Sequence, residues 1–298
     1  VAVLAVGVGW LPGRAIGAAV DRRWFVPLAV LCLVPICLPS YAVFYAWWQS
    51  WPADSALFAW ARQRDLIPLV RGATLVLGLL AWTWPIVAWC VAGAAAARPS
   101  TRDDLLRLDG APWHVRQFDR LRSDAPALIL GGLVAGIVAF NNTTCFDLAQ
   151  AHSFGSELRA LEAAGGTPAE VVRLAWPTML TSAIGALLLW LVVARLARPA
   201  SGSPSRASAF VRWMTVLIWS ATVLLPLLAL LPRLGLGDGI DQFVRLYGTP
   251  ATNSVISALI CGGMGALLSL GLIVQWRDHR RLVRGLAAVQ TVGWIIIG

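Results

Sequence analysis

Residues 103–120 read Asp103-Asp104-Leu105-Leu106-Arg107-Leu108-Asp109-Gly110-Ala111-Pro112-Trp113-His114-Val115-Arg116-Gln117-Phe118-Asp119-Arg120, a charged stretch within a strongly apolar chain. We call this stretch the island. The flanking runs 72–97 and 125–146 carry no charged residue. A spanning helix needs about 20 apolar residues, so each run is long enough to cross a bilayer. The island is therefore predicted to connect two membrane spans.

The island itself has the pattern of two short helices. Thr101 is a candidate N-cap, and Asp104 would lie in the first turn, near the positive end of the helix dipole. Gly110 is predicted to end this helix, and Pro112 to begin a second one. The apolar residues are Leu105, Leu106 and Leu108 on the first helix, and Trp113, Val115, Phe118 and Leu121 on the second. We interpret the island as a docking element for a soluble partner; the alternative is an amphipathic loop that lies on the lipid surface.

Composition indicates the class of protein. The chain has 298 residues, of which 58% are hydrophobic and 13% charged. That charged fraction is about half of the value typical of soluble domains, so we predict an all-α, polytopic transmembrane bundle. Six uncharged runs meet the length test, at 24–53, 72–97, 125–146, 174–194, 213–232 and 246–276, and partial runs at 1–13 and 285–298 bring the expected number to eight.

The charge distribution predicts an orientation. The net charge is +9, and every basic residue is an arginine. In a soluble domain this excess would suggest nucleic acid, but in a membrane protein basic residues concentrate in cytoplasmic loops. If the spans alternate in direction, most arginines fall on the side of the island. The island is therefore predicted to face the cytoplasm, and no nucleic-acid partner is expected.

The spacing within the island resembles the EAA loop of ABC importer permeases. That loop has Glu-Ala-Ala, three further residues and Gly, and here Asp104 and Gly110 have the same separation, followed by Ala111. Asp104 replaces the Glu, and Leu105 and Leu106 replace the two alanines. Further segments resemble the same family and occur in the same order. Leu11-Pro12-Gly13-Arg14 resembles its Gly-Arg turn, and residues 35–41 with Ala46-Trp47 resemble its Leu-Pro-Pro-Tyr span. Residues 144–158 resemble its Thr-Asp-Leu-Phe-Gln segment, and Thr252-Asn253-Ser254 resembles the start of its second repeat.

This resemblance implies a fold, partners and a location. It implies the type I, MetI-like permease fold, as in the two-repeat permeases for ferric iron, thiamine and phosphonate. Residues 1–197 would be a first repeat lacking its start, with a cytoplasmic coupling loop at 101–122. The composition of residues 198–206 predicts a flexible linker. Residues 207–298 would be the beginning of a second repeat, in a chain expected to be truncated at both ends. The expected location is the bacterial inner membrane.

The resemblance also implies a function and residues that carry it. The chain would form the path for a small solute of the iron(III) type, receive solute from an extracytoplasmic binding protein, and dock a cytoplasmic ATPase dimer. ATP hydrolysis would take place in that separate subunit, so neither an enzyme activity nor a cofactor is expected. The expected coupling residues are Asp104, Leu105, Leu106, Arg107, Leu108, Gly110, Ala111, Trp113 and Phe118.

A second polar cluster follows the run 125–146. Asn141, Asn142, Asp147 and Glu157 could line the outer mouth of the path, or could simply cap helices and order a loop. The nearby Glu162-Ala163-Ala164-Gly165 has the letters of the coupling motif, but its spacing is too short and alternation places it outside the cell.

Two other classes of protein remain as alternatives. A secondary transporter would need ionisable groups within its spans, and the charges stop at the ends of the uncharged runs. A membrane-embedded enzyme would need a cluster of His, Asp or Ser at the membrane surface. The five cysteines and three histidines have no ligand spacing, so no metal site is expected.

Overall fold

The computed structural model describes residues 1–19, 23–51, 55–96, 100–196 and 209–230, together with isolated residues between 245 and 267. Regular structure in these residues is entirely helical, which confirms the all-α prediction for them. The helices are α1 Ala2–Gly17, α2 Phe25–Cys37, α3 Ser40–Gln49, α4 Ala56–Gln63, α5 Ile67–Ala96, α6 Ser100–Leu108, α7 Trp113–Phe140, α8 Thr143–Leu148, α9 Phe154–Ala163, α10 Pro168–Leu196, α11 Ala209–Trp219 and α12 Leu225–Leu230, with a π-helical turn Ser220–Leu224 between the last two.

Three helical segments are long and apolar enough to cross a membrane: Ile67–Ala96, Trp113–Phe140 and Ala209–Ala229. The bent pair α2 and α3 makes a fourth if it is one span. The runs 72–97, 125–146 and 213–232 thus fall largely within these segments, and 174–194 falls within α10. Most of 246–276, and all of 285–298 and the linker 198–206, lie outside the described residues. The described part of the chain therefore contains three or four candidate spans, and the expected total of eight stays a prediction.

Helix α5 is the centre of the bundle, and α1 packs along it in parallel. Three glycines, at positions 9, 13 and 17, lie against successive turns of α5. A Cβ atom added at Gly13 would lie 2.5 Å from the carbonyl oxygen of Ala88, and one at Gly17 would lie 2.5 Å from that of Ala92. Such close backbone approach is typical of small residues spaced four apart in membrane helices. The glycine spacing therefore fixes how α1 meets α5.

Helix α7 packs antiparallel to α1 and also touches α5. Gly131 faces Val87 of α5, where an added Cβ would lie 2.8 Å from the Val87 Cα atom. Gly132 faces α1, where an added Cβ would lie 2.8 Å from the side-chain Cγ2 atom of Val6. Residues 11–14 lie inside α1, so the expected Gly-Arg turn is wrong: Pro12 and Gly13 are buried helix-interior residues. Pro12 is tolerated there because neighbouring helices surround it.

The run 24–53 was expected to be one span, but the structure breaks it. Helices α2 and α3 meet at 89° around Leu38 and Pro39. Leu28 of α2 belongs to the apolar core at the island end of the bundle, whereas Phe44 of α3 belongs to a second core at the far end. The bent pair therefore contacts both cores, and its geometry is that of a broken span or of a re-entrant loop.

Tryptophan N–H groups bond to backbone carbonyls where helices are interrupted. Trp82 Nε1 donates to the carbonyl of Leu38 at the α2–α3 break, at 3.0 Å. Trp47 Nε1 donates to the carbonyl of Thr222 in the π-helical turn, at 3.2 Å. Pro226, four residues further on, has no N–H to offer that carbonyl. Trp84, which is fully buried, donates to the Thr222 hydroxyl at 3.2 Å. These indole N–H groups donate hydrogen bonds to oxygen atoms for which lipid chains have no donor.

Candidate docking site and buried ion pair

The island forms the connection between α6 and α7, and Gly110 makes its turn. The φ angle of Gly110 is +65°, a left-handed conformation that favours glycine. Its N–H donates to the carbonyl of Arg107 at 3.1 Å, and the Ala111 N–H donates to that of Leu106 at 3.0 Å. This pair of bonds is a Schellman motif, which satisfies the last carbonyls of α6. The predicted glycine elbow is confirmed.

The second half of the island is not the short helix that was expected. Pro112 is the N-cap of α7, and the helix continues without interruption from Trp113 to Phe140. The charged residues between 116 and 124 do not break the helix, because a charged side chain leaves the backbone hydrogen bonds of the helix in place. The island therefore includes the first turns of a candidate membrane-spanning helix.

The island presents large apolar side chains away from the bundle. The exposed fractions are 59% for Leu105, 83% for Leu108, 69% for Trp113 and 67% for Phe118. We call these four side chains the island surface. Asp104 and Arg107 are also exposed, whereas Leu106 and Ala111 are half-buried. All nine expected coupling residues thus lie in one continuous α6–α7 segment.

A buried ion pair joins α1 to α7, which the sequence reasoning missed. Asp124 is 1% exposed, and Trp10 Nε1 donates to its Oδ2 atom at 2.8 Å. A terminal guanidinium nitrogen of Arg14 lies 3.7 Å from the same oxygen, and the guanidinium carbon lies 5.9 Å from the centre of the Trp10 ring. Arg14 directly follows the uncharged run 1–13 and Asp124 directly precedes the run 125–146, so both charges lie at the ends of these runs as expected, although Asp124 is buried there.

A sequence signal for this pair existed. Trp10 and Arg14 are four residues apart, so they share one face of α1. Asp124 immediately precedes the uncharged run 125–146. A carboxylate at that position lies at the end of the apolar part of its helix, close to the neighbouring helices of the bundle. What the sequence did not contain was the antiparallel register of α1 and α7 that brings these residues together.

The polar cluster at the far end of α7 is held by local contacts. The Asn142 side chain accepts from the Cys145 N–H at 3.2 Å and so caps α8. Asp147 is paired with Arg159 of α9. Glu157 lies 3.9 Å from Nδ1 of His152, and both are exposed. Asn141 is the residue that ends α7. These contacts favour the helix-capping interpretation over a solute-binding one.

The residues Glu162-Ala163-Ala164-Gly165 lie at the opposite end of α7 from the island, around the end of α9. Gly165 has a φ angle of +79° and resembles Gly110 in this respect. At the start of α10, Thr167 and Glu170 cap each other, and hydrogen bonds from Thr167 lower the pKa of Glu170. Among the described residues, no group of three or more His, Cys, Asp or Glu could hold a metal ion.

No protein family, curated protein or solved structure gives a significant match to this chain.

Proposed function

We propose that this chain is the membrane permease subunit of an ATP-driven ABC importer in the bacterial inner membrane. In this proposal it forms the path for a small solute of the iron(III) type and docks a cytoplasmic ATPase dimer through the island. The observation that carries the proposal is the island surface: four large apolar side chains stand exposed on α6 and on the first turns of α7, next to the turn that joins the two helices.

The island surface suits docking into a protein groove. Full burial of a large apolar side chain contributes about 1.5–3 kcal/mol, so a groove that covers Leu105, Leu108, Trp113 and Phe118 would gain several kilocalories per mole. An amphipathic helix that inserts its apolar residues into a groove is a common recognition mode. Asp104 and Arg107, exposed on the same short helix, would then fix the register through charged contacts.

The continuity of α7 gives docking a mechanical consequence. A partner bound at Trp113 and Phe118 would hold the first turns of a helix that continues to Phe140. That helix packs tightly against α5 at Gly131, so a shift at the island would move the α5–α7 contact inside the bundle.

In this proposal the far-end segment that contains α8 and α9 receives an extracytoplasmic solute-binding protein.

Co-purification of the cognate ATPase tests the docking role. Asp104→Arg combined with Gly110→Leu reverses an exposed charge and forces a bulky side chain into a left-handed turn. We expect the ATPase to be lost from the purified complex and ATP-driven uptake to fall at least tenfold.

The matched control is Glu162→Arg combined with Gly165→Leu. It makes the same charge reversal and the same change at a left-handed glycine, at the opposite end of α7. We expect this control to retain the ATPase. Equal retention by both double variants would show that the island has no docking role.

The buried pair of Asp124 and Arg14 favours a second candidate, an ion-coupled secondary transporter. Ionisable groups buried within a membrane bundle are typical of proton and ion pathways. This candidate predicts uptake into vesicles that contain the purified chain and an ion gradient but no ATP, and loss of that uptake in Asp124→Asn. The ABC proposal predicts no uptake without ATP.

A further inference from the structure

Two arginines from distant parts of the chain converge on one tryptophan at the island end of the bundle. The guanidinium carbon of Arg23 lies 5.8 Å from the centre of the Trp24 ring, and that of Arg212 lies 5.4 Å from it. Arg23 precedes Trp24, the N-cap of α2, whereas Arg212 lies in the first turn of α11. Packing of α11 beside α1 and α2 therefore assembles a cluster that is not local in sequence.

This cluster has an excess of positive charge. Within the part of the chain that the structure describes, no carboxylate pairs with Arg23 or Arg212. Neither α2 nor α11 has an acidic residue in its first turn, so the positive ends of two helix dipoles add to the two guanidinium charges. Around Arg212 the sequence contains no Asp or Glu between Glu170 and Asp238, and around Arg23 the one acidic residue, Asp21, is offset by Arg22, so the segment 21–23 keeps a net positive charge. The cluster thus attracts an anion.

The neighbouring side chains indicate what kind of anion. Val26, Phe210 and Trp213 stand exposed beside the cluster, at the starts of the same two helices. Trp24 itself is 43% exposed. Arginine and tryptophan at the end of a membrane helix lie at the depth of the lipid headgroups, where the charged tip meets water and the apolar part meets acyl chains. A ligand with a phosphate and an acyl chain would satisfy both kinds of side chain.

We propose that Arg23, Trp24 and Arg212 bind the phosphate group of an anionic phospholipid at the island end of the bundle. The two guanidinium groups donate hydrogen bonds to the phosphate oxygens, and the acyl chains lie along Val26, Phe210 and Trp213. Basic pockets between membrane helices are a known mode of anionic lipid recognition. Inorganic phosphate could accept the same hydrogen bonds, but it has no apolar part that could cover the exposed apolar side chains. A phospholipid therefore fits both the arginines and the apolar side chains.

Native mass spectrometry of the purified chain tests this site. The protein in detergent is titrated with phosphatidylglycerol, with zwitterionic phosphatidylcholine, and with inorganic phosphate. We expect phosphatidylglycerol to bind in preference to phosphatidylcholine. An arginine that contacts an anionic headgroup contributes about fivefold in affinity, so Arg23→Gln with Arg212→Gln should weaken phosphatidylglycerol binding by about 25-fold.

The chain offers a matched control. Arg62 and Arg64 also lie over aromatic rings, at 5.6 Å from Phe58 and 4.9 Å from Trp60, but on α4 and its C-terminal end. Arg62→Gln with Arg64→Gln removes the same charge and should leave the tight phosphatidylglycerol site intact. Arg23→Lys with Arg212→Lys keeps both charges and should retain most of the binding, which separates loss of the site from loss of the fold.

The outcomes separate the possibilities. Inorganic phosphate that displaces phosphatidylglycerol at millimolar concentration would assign the site to a soluble phosphate instead of a lipid and overturn the lipid assignment. Equal loss of binding in both glutamine pairs would show only a general effect of charge and overturn the proposal. Unchanged binding in Arg23→Gln with Arg212→Gln would overturn it as well.

Discussion

Asp124 is the residue at which a single substitution should have the largest effect on the bundle. Asp124→Leu removes the carboxylate that accepts from Trp10 and lies beside Arg14. Loss of one partner of a buried ion pair typically costs about 3–5 kcal/mol, because a buried charge loses its compensation. We expect the free energy of unfolding of the purified protein to fall by about that amount, measured by thermal or denaturant unfolding in detergent.

Two further variants check this explanation. Asp109→Leu, at an exposed position in the island, should change the free energy of unfolding by less than about 0.5 kcal/mol. Arg14→Met combined with Asp124→Leu should be more stable than Asp124→Leu alone, because both charges are then removed. If the double variant loses as much as the two single variants together, the two residues do not interact in the folded protein.

Residues differ in how far the sequence could predict their role. Gly110 was predictable because a glycine between an amphipathic segment and a proline indicates a left-handed helix end by local chemistry alone. Asp124 was not, because its partners are more than a hundred positions away and depend on the register of two packed helices. The same limit applies to Trp47 and Trp84, which meet Thr222 only through tertiary packing.

At the scale of helices, the α1–α5 contact yields the sharpest prediction. A Cβ added at Gly13 would collide with the backbone of α5, whereas one added at Gly7 would meet nothing within 4 Å. We therefore expect Gly13→Ala to lower the free energy of unfolding by about 1–3 kcal/mol through overpacking. Gly7→Ala, the same change on the same helix, should be neutral or slightly stabilising. Equal effects of the two variants on thermal unfolding would contradict the glycine-mediated contact.

The ends of a helix were predictable from the sequence where charged residues mark them. Helix ends without a charged residue nearby were not predictable. Gaps between charged residues located α5 and the apolar part of α7 well, because a bilayer excludes charge from its hydrocarbon core. The same gaps could not reveal the 89° break between α2 and α3, since the break adds no charge. The gaps between charges also gave no indication that the second half of the island belongs to α7. A helix can extend beyond the hydrocarbon core into water, so a charged residue does not mark its end.

For the whole molecule, the packing directions collect charged residues at two ends. Parallel α1 and α5 together with antiparallel α7 bring Arg14, Asp124 and the island to one end. Arg71 contacts Gln150 and Arg159 contacts Asp147 at the other end. The sequence predicted this separation from the alternation of spans. It could not predict which face of each helix is buried, because that depends on which helices are neighbours.

The proposed docking of a cytoplasmic ATPase at the island requires the island end of the bundle to face the cytoplasm. The most direct test is the labelling of single cysteines with a membrane-impermeant thiol reagent, in a background where all five native cysteines are replaced by Ala. Asp109→Cys and Glu162→Cys place exposed thiols at the two ends of the bundle. We predict that Glu162→Cys is labelled in intact cells and that Asp109→Cys is labelled only after the membrane is opened. Labelling of Asp109→Cys in intact cells would contradict it.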